Sequence, residues 1–537
     1  MKSILLFLSL ILTGFLSIAQ HPELENIDPH KIEGHMRFLA DDLLKGRAVG
    51  SEGFEIASAY VQSQLISIGL QPAAEDGTFI QPVPLKRATV LPEKSYLSID
   101  HKKLNWGDEY ILSPYFEAKV TEINAPLVFV GFGVTAPEFD YDDYKGVDAK
   151  GKIVVYINDA PATFPSNEKA YYTTGTVKYE TALKNGAIGV ISFMHPENNR
   201  RPWEGTVSRA KNGRFLWTDP SGNNPASHPD LKAVATFNND KLESLFGDQY
   251  PSFKYSLDEL SSSKPASFEI NKTAELHIET QHENVMSSNL LAEIEGSDPN
   301  LKDEYLVYAA HLDHLGIGRA VNGDSIYNGT HDNASGVAIL LEIARTFKSM
   351  NPAPKRSVLF AIVTAEESGL LGSDYLAHFP PKGKEKMVAN IAMDMPFFFH
   401  PILDIVPYGA AHSSLGENTK KATEYLGLGI SEDPFPEQVI FIRSDHYSFI
   451  KKGIPALFIK SGFKTVPSDT IDRSKKDVEW RRTHYHTPQD DMNQPFDFSA
   501  AAMHVKVNYL IGKQVVNDSS KPSWNLGDFF GSKMGKK

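Results

Sequence analysis

From about residue 275 to residue 515 the chain alternates short β-type runs with helical ones, and polar residues gather where the β-type runs end. The candidate strands cover 305–310, 358–364, 388–393, 402–406 and 456–460, and the candidate helices 334–348, 413–426 and 497–515. In the 334–348 segment, Val337, Leu340, Leu341, Ala344 and Phe347 recur at helical spacing and form one apolar face. Strands alternating with helices predict an α/β fold, a mostly parallel mixed sheet flanked by helices. Open sheets of this kind collect ligands at the carboxyl ends of their strands, which is where the polar residues fall.

The first half reads differently. Helical segments are expected over 32–44 and 54–68, the second stopping at Gly69, with a glycine-containing loop at 45–50 between them. From about 120 to 260 short apolar runs (127–130, 153–157, 188–193, 233–237) are broken by Gly, Pro and Asn, which predicts a β-rich unit. The run from Ser261 to Pro265 reads as a linker, and residues 516–537 read as a loose tail.

Composition narrows the chemistry. The 537 residues carry a net charge of −13, so no basic surface is expected for nucleic acid. Cysteine is absent, which removes thiol nucleophiles, thiolate metal ligands and disulfides together. Lys2, a mostly apolar stretch from Ile4 to Leu16, and Ser17-Ile18-Ala19 predict a signal peptide over 1–19, cleaved before Gln20. That stretch is too short to span a bilayer, and no later run reaches membrane length. The mature chain is therefore expected to be exported, periplasmic or secreted, without stable membrane insertion.

Five places carry candidate chemistry. His311-Leu312-Asp313-His314 follows the first strand, Ala365-Glu366-Glu367-Ser368-Gly369 the second, and Asp394 the third. Asp332 precedes Asn333-Ala334-Ser335-Gly336 at a helix start, and His486 stands in Tyr485-His486-Thr487-Pro488. Taken singly, Asp332 could cap its helix and Glu366 and Glu367 could be an exposed acidic pair. Crowded into one crevice, such carboxylates repel unless a cation neutralises them. Oxygen donors mixed with imidazoles, and no thiolate, suit zinc or a related divalent ion.

Together with Met393-Asp394 and Ser444-Asp445-His446, these stretches resemble, in the same order, the co-catalytic dizinc exopeptidases. That family includes secreted bacterial aminopeptidases and glutamate carboxypeptidases. Segment 31–72 resembles the family's N-terminal portion, so 20–115 is expected to belong to the peptidase domain, with 275–515 as its catalytic part. Segment 120–260 resembles a protease-associated domain inserted between them.

The resemblance implies two Zn2+ per chain, one held by His311 and Asp394, the other by Glu367 and His486, with Asp332 bridging. Three carboxylates and a metal-bridging hydroxide would balance two divalent ions. Glu366 would be the general base, since neighbours on an extended strand face opposite sides, and Asp313 would orient His311. His331 reads as a supporting or solvated residue, and Tyr447 and Tyr485 are candidate oxyanion donors. Met395-Pro396-Phe397-Phe398-Phe399 either fills the core or lines a pocket for the first substrate residue. The implied function is an exported aminopeptidase acting on peptides. Alternatives are a carboxypeptidase of the same family, with Arg443 gripping the terminal carboxylate, and an inert receptor-like protein, which would lack ligands that this chain retains.

Overall fold

The computed structural model describes residues 21–196, 202–466, 468–469 and 471–535. The expected signal peptide, 1–19, lies outside the described residues. Among the described residues no helix is long and apolar enough to cross a membrane.

In chain order the elements that build the site are α1 (Pro29–Leu39), α2 (Glu52–Ile68), β1 (Ile80–Val90), β2 (Val120–Val130), β3 (Ile153–Ile157), β4 (Gly189–Phe193), β5 (Ala233–Phe237), β6 (Ser267–Ile294) and β7 (Tyr305–His311). They continue with α3 (Ser335–Lys348), β8 (Ser357–Val363), α4 (Leu371–His378), β9 (Met387–Ala392), β10 (Asp404–Tyr408), α5 (Leu415–Leu426), α6 (His446–Ile450), β11 (Ala456–Ser461), α7 (Arg473–Thr483), α8 (Phe498–Asn517) and α9 (Phe529–Met534). Strands β8, β7, β9 and β11 lie side by side and parallel. Antiparallel β6 closes one side of this set and β10 the other. Every residue of β7, β8 and β9 is buried. A sheet covered on both faces wants continuous apolar runs, and these strands supply them.

Helix α3 lies over this sheet. Val337, Leu340, Leu341, Ala344 and Phe347 are all buried in one cluster with Leu306, Tyr308, Phe360 and Ile391. At roughly 1.5–3 kcal/mol for each large apolar side chain buried, that face anchors the helix whose N-terminus carries Asp332. Gly336 is forced: a Cβ there would lie 2.3 Å from Asn333 Oδ1 and 2.5 Å from the Met393 carbonyl. The helix start can thus press against the end of β9.

The unit from about 120 to 260 has a sheet in which β2, β3, β4 and β5 run parallel, over a core that also takes in Val90, Leu97, Ile99, Tyr110 and Leu112 before it and Ile270, Leu276 and Ile278 after it. Residues 261–265 do lie outside the strands, but β6 follows at once and runs unbroken for 28 residues. Its first part pairs with β2, its middle with β1, and its end with β8. A boundary at about residue 275 therefore falls inside one strand shared by both sheets. Residues beyond α8 also differ from a loose tail. In α9, Phe530 is buried, Phe529 packs against Tyr171 and Tyr172 of the β-rich unit, and Lys533 pairs with Glu138.

Candidate metal centre and active site

The carboxyl ends of β7, β8 and β9 bring the sequence motifs together. His311 Nε2 lies 3.3 Å from Asp332 Oδ1 and 3.7 Å from Asp394 Oδ1. His486 Nε2 lies 3.2 Å from Asp332 Oδ2 and 3.1 Å from Glu367 Oε2. The two oxygens of Asp332 thus face two separate donor sets, the position of a bridging carboxylate. Donors bound to one zinc at about 2.0–2.1 Å in tetrahedral array stand roughly 3.3 Å apart. The spacings here fit.

The buried atoms fit as well. His311 Nε2, Asp394 Oδ1, Glu367 Oε1 and His486 Nε2 have no hydrogen-bond partner among the described residues. Buried polar atoms left unpaired are costly, and a divalent cation is what this donor set would accept. Burial alone would raise the Asp332 pKa, but the His311 and His486 imidazoles beside its carboxylate hold it well below the usual range. Glu366 behaves oppositely. Burial, then repulsion from Glu367, Asp394 and Asp445, pushes its carboxyl well above the usual range, although His311 opposes this.

The supporting contacts differ in part from expectation. Strand β8 ends at Val363, so Glu366 and Glu367 sit beyond it in a turn that starts at Ala365, whose φ is +54°. Their different directions come from that turn and not from strand alternation. Glu366 Oε2 approaches His311 Nε2 to 3.9 Å, whereas Glu367 turns to His486. Asp313 holds the turn: its carboxylate accepts the backbone N–H of Glu366 (3.1 Å) and Glu367 (3.3 Å). His311 Nδ1 meets the Asp313 backbone carbonyl at 3.1 Å, while the carboxylate is 4.0 Å away. Asp313 thus reaches His311 through its main chain, and burial pushes its carboxyl up to about 6.

His331 is buried, not solvated. Its ring is surrounded by Phe397, Phe398, Phe399, Trp480 and Phe496 at centroid distances of 5.0–6.1 Å. Burial holds it neutral, well below the ordinary histidine range. The Phe397–Phe399 run therefore packs mainly around His331, with Phe397 also lining a small pocket beside Phe435, Phe463 and Lys460. Of the two candidate tyrosines, Tyr447 is buried among Ile450, Phe458 and Phe530. Tyr485 stacks on His486 with centroids 3.7 Å apart, and its hydroxyl accepts from Arg443 at 3.1 Å.

Three supporting residues escaped the sequence reading. Asp490 accepts the backbone N–H of His331 (2.9 Å) and Asp332 (3.0 Å), fixing the bridging loop. Asn333 accepts from Met395 N and donates to Met393 O, tying that loop to Asp394. Arg47, from the 45–50 loop, is fully buried and donates to the carbonyls of Leu39, Leu312, Asn328 and Gly329. It clamps both ligand-bearing loops, and burial lowers its pKa to about 10.

Two adjoining sets of imidazoles and carboxylates at the carboxyl edge of a parallel sheet are the layout of a metal-dependent α/β hydrolase. Residues 289–510 match the model of peptidase family M28. It is 33% identical over 296 residues to the mouse protein named aminopeptidase NAALADL1, covering 47% of this chain and 37% of that one. It is 28% identical over 257 residues to a probable zinc metalloprotease of Pyrenophora teres f. teres, covering 42% and 50%. The chain thus spans half or less of these relatives' lengths. Among solved structures, an aminopeptidase from Aneurinibacillus sp. strain AM-1 shares the fold with a TM-score of 0.53 and 19% identity, over 93% of this chain and 96% of that one.

Proposed function

We propose that the chain is an exported aminopeptidase that hydrolyses the N-terminal peptide bond with two zinc ions. The observation that carries the reading is the pair of donor sets sharing Asp332, with buried ligand atoms that have no other partner. His311 and Asp394 would hold one ion, Glu367 and His486 the other. When bound, the ions supply Lewis acidity toward water and the scissile carbonyl.

The chain's own groups do the rest. Glu366, raised by burial and like charge, accepts the attacking water's proton and returns it to the departing amine. Asp313 keeps the Glu366–Glu367 turn in register through two backbone hydrogen bonds. Tyr485, held by Arg443 and stacked on His486, is placed to donate to the developing oxyanion. Its Arg443 contact draws that guanidinium away from service as a free carboxylate clamp, which favours the aminopeptidase over the carboxypeptidase reading. The name of the mouse relative supports the same choice. We assign the 120–260 unit to a protease-associated domain on the strength of the sequence resemblance and of a core, filled with the help of residues 90–112 and 270–278, that is distinct from the one around α3.

The test compares kcat/KM for leucyl and glutamyl amides, then for one peptide free and N-acetylated. The free leucyl substrates should be cleaved and the acetylated peptide left intact. Equal cleavage of the acetylated peptide would remove the aminopeptidase reading.

A further inference from the structure

The two donor sets are not equally furnished. His311, Asp394 and one oxygen of Asp332 surround the first position. Around the second, beside His486, stands an imidazole that neither the motifs nor the resemblance assigns. The His314 side chain is completely buried, and neither of its ring nitrogens has a hydrogen-bond partner among the described residues. Its Nδ1 nevertheless lies 2.6 Å from Glu367 Oε1, itself without a hydrogen bond. The contact is an ion pair when the ring is protonated, although its geometry is not that of a hydrogen bond, and two donors on one zinc would stand farther apart. His314, Asp332 and Glu367 each bring a donor atom within 4.8 Å of the others.

The ring is held in that direction. The His314 backbone N–H donates to the Arg47 carbonyl at 3.2 Å. Gly329, at φ +59°, packs flat on the ring, and a Cβ there would fall 2.5 Å from His314 Cγ and 2.6 Å from Cδ2. On another side the ring meets His486 edge-on, with centroids 5.7 Å apart. A buried imidazole whose nitrogens make no hydrogen bond is costly unless something binds it.

We infer that His314 is a ligand of the second metal ion, joining His486, Glu367 and Asp332; this rests on the two-metal reading above. Four protein donors complete a tetrahedral zinc site, whereas three leave a position open. The inference therefore makes the two sites unequal. The second holds its ion more tightly, and the first, at His311, Asp394 and Asp332, keeps the open position for an exogenous ligand.

The experiment titrates the metal-free mature chain with cobalt(II), and records cadmium-113 NMR of the cadmium-loaded chain, for wild type, His314→Leu and His314→Asn. Asparagine keeps an N–H near the Nδ1 position but is a poor ligand, and it stands in if the leucine variant does not fold. Wild type should bind two ions of different affinity. In both variants one affinity should be unchanged and the other weakened by at least roughly 10–100-fold, the cost found even for groups that merely support a ligand. The corresponding cadmium resonance alone should shift. Wild-type affinities in His314→Asn would make His314 a hydrogen-bond donor and overturn the assignment, as would unchanged binding in His314→Leu. If wild type itself bound no ion, the two-metal reading would fall first.

Discussion

Asp143 and Lys178 lie as deep in the β-rich unit as His311 and Asp332 lie in the peptidase half, yet the two pairs are wired in opposite ways. The Asp143 carboxylate accepts from Phe132 N, Val134 N and the Tyr141 hydroxyl. The Lys178 ammonium donates to the carbonyls of Phe132 and Asp159. Those buried charges are answered by their own neighbourhood, as a structural role requires. At the ends of β7, β8 and β9 the buried atoms of His311, Asp394, Glu367 and His486 face one another across gaps sized for an ion. Burial alone therefore does not mark function. What marks it is buried polar atoms converging without partners.

The contrast can be broken most sharply at Glu366. If it moves the proton, Glu366→Gln should lower kcat by roughly 10²–10⁴-fold while metal content and unfolding midpoint stay put. Near-normal turnover would mean that the base lies elsewhere. The reverse result is expected in the β-rich unit. Asp143→Ala leaves three donors without their acceptor and removes the carboxylate whose charge favours the Lys178 cation, and should destabilise by about 3–5 kcal/mol in denaturant unfolding while kcat on a leucyl amide is unchanged. A loss of kcat with stability intact would couple this unit to the chemistry.

A smaller effect separates buried histidines outside the ligand sets. Burial lowers His446 to about 4 and His504 to about 3. Both folded values lie below the unfolded value near 6.5, so unfolding takes up protons as pH falls below 6.5. Their stabilisation is complete above that pH and declines below it, by about 1.4 kcal/mol per pH unit for each histidine, down to about pH 4 for His446 and about 3 for His504. His504→Gln should therefore flatten the dependence of the unfolding midpoint between pH 6 and 4.5. An unchanged slope would show that His504 does not titrate on unfolding.

Much of the peptidase half was legible because its strands are continuous apolar runs ending in unusual polar residues. Tyr305–His311 and Ala456–Ser461 follow this rule, and α3 follows the helical period. The short helices α4 and α7 were not legible. Helix α7, Arg-Ser-Lys-Lys-Asp-Val-Glu-Trp-Arg-Arg-Thr, buries only Arg473, Asp477 and Trp480, so it shows no apolar face. Strand β6 was missed along its whole length because its partners change along it, and its burial pattern changes with them. At the site, ligand types and order could be read, but their supports could not. Arg47 reaches carbonyls more than 260 residues away, which no local pattern encodes. Asp490 after Pro488 reads as a turn residue, and its role exists only once the His331–Asp332 loop folds against it.

The proposed two-metal centre is tested most directly by counting zinc in the purified chain by elemental analysis, while activity on a leucyl amide is followed through chelation and zinc return. Two zinc ions per active chain are expected, with loss of activity as they are removed and recovery as they are restored. Full activity in a chain stripped of metal would contradict it.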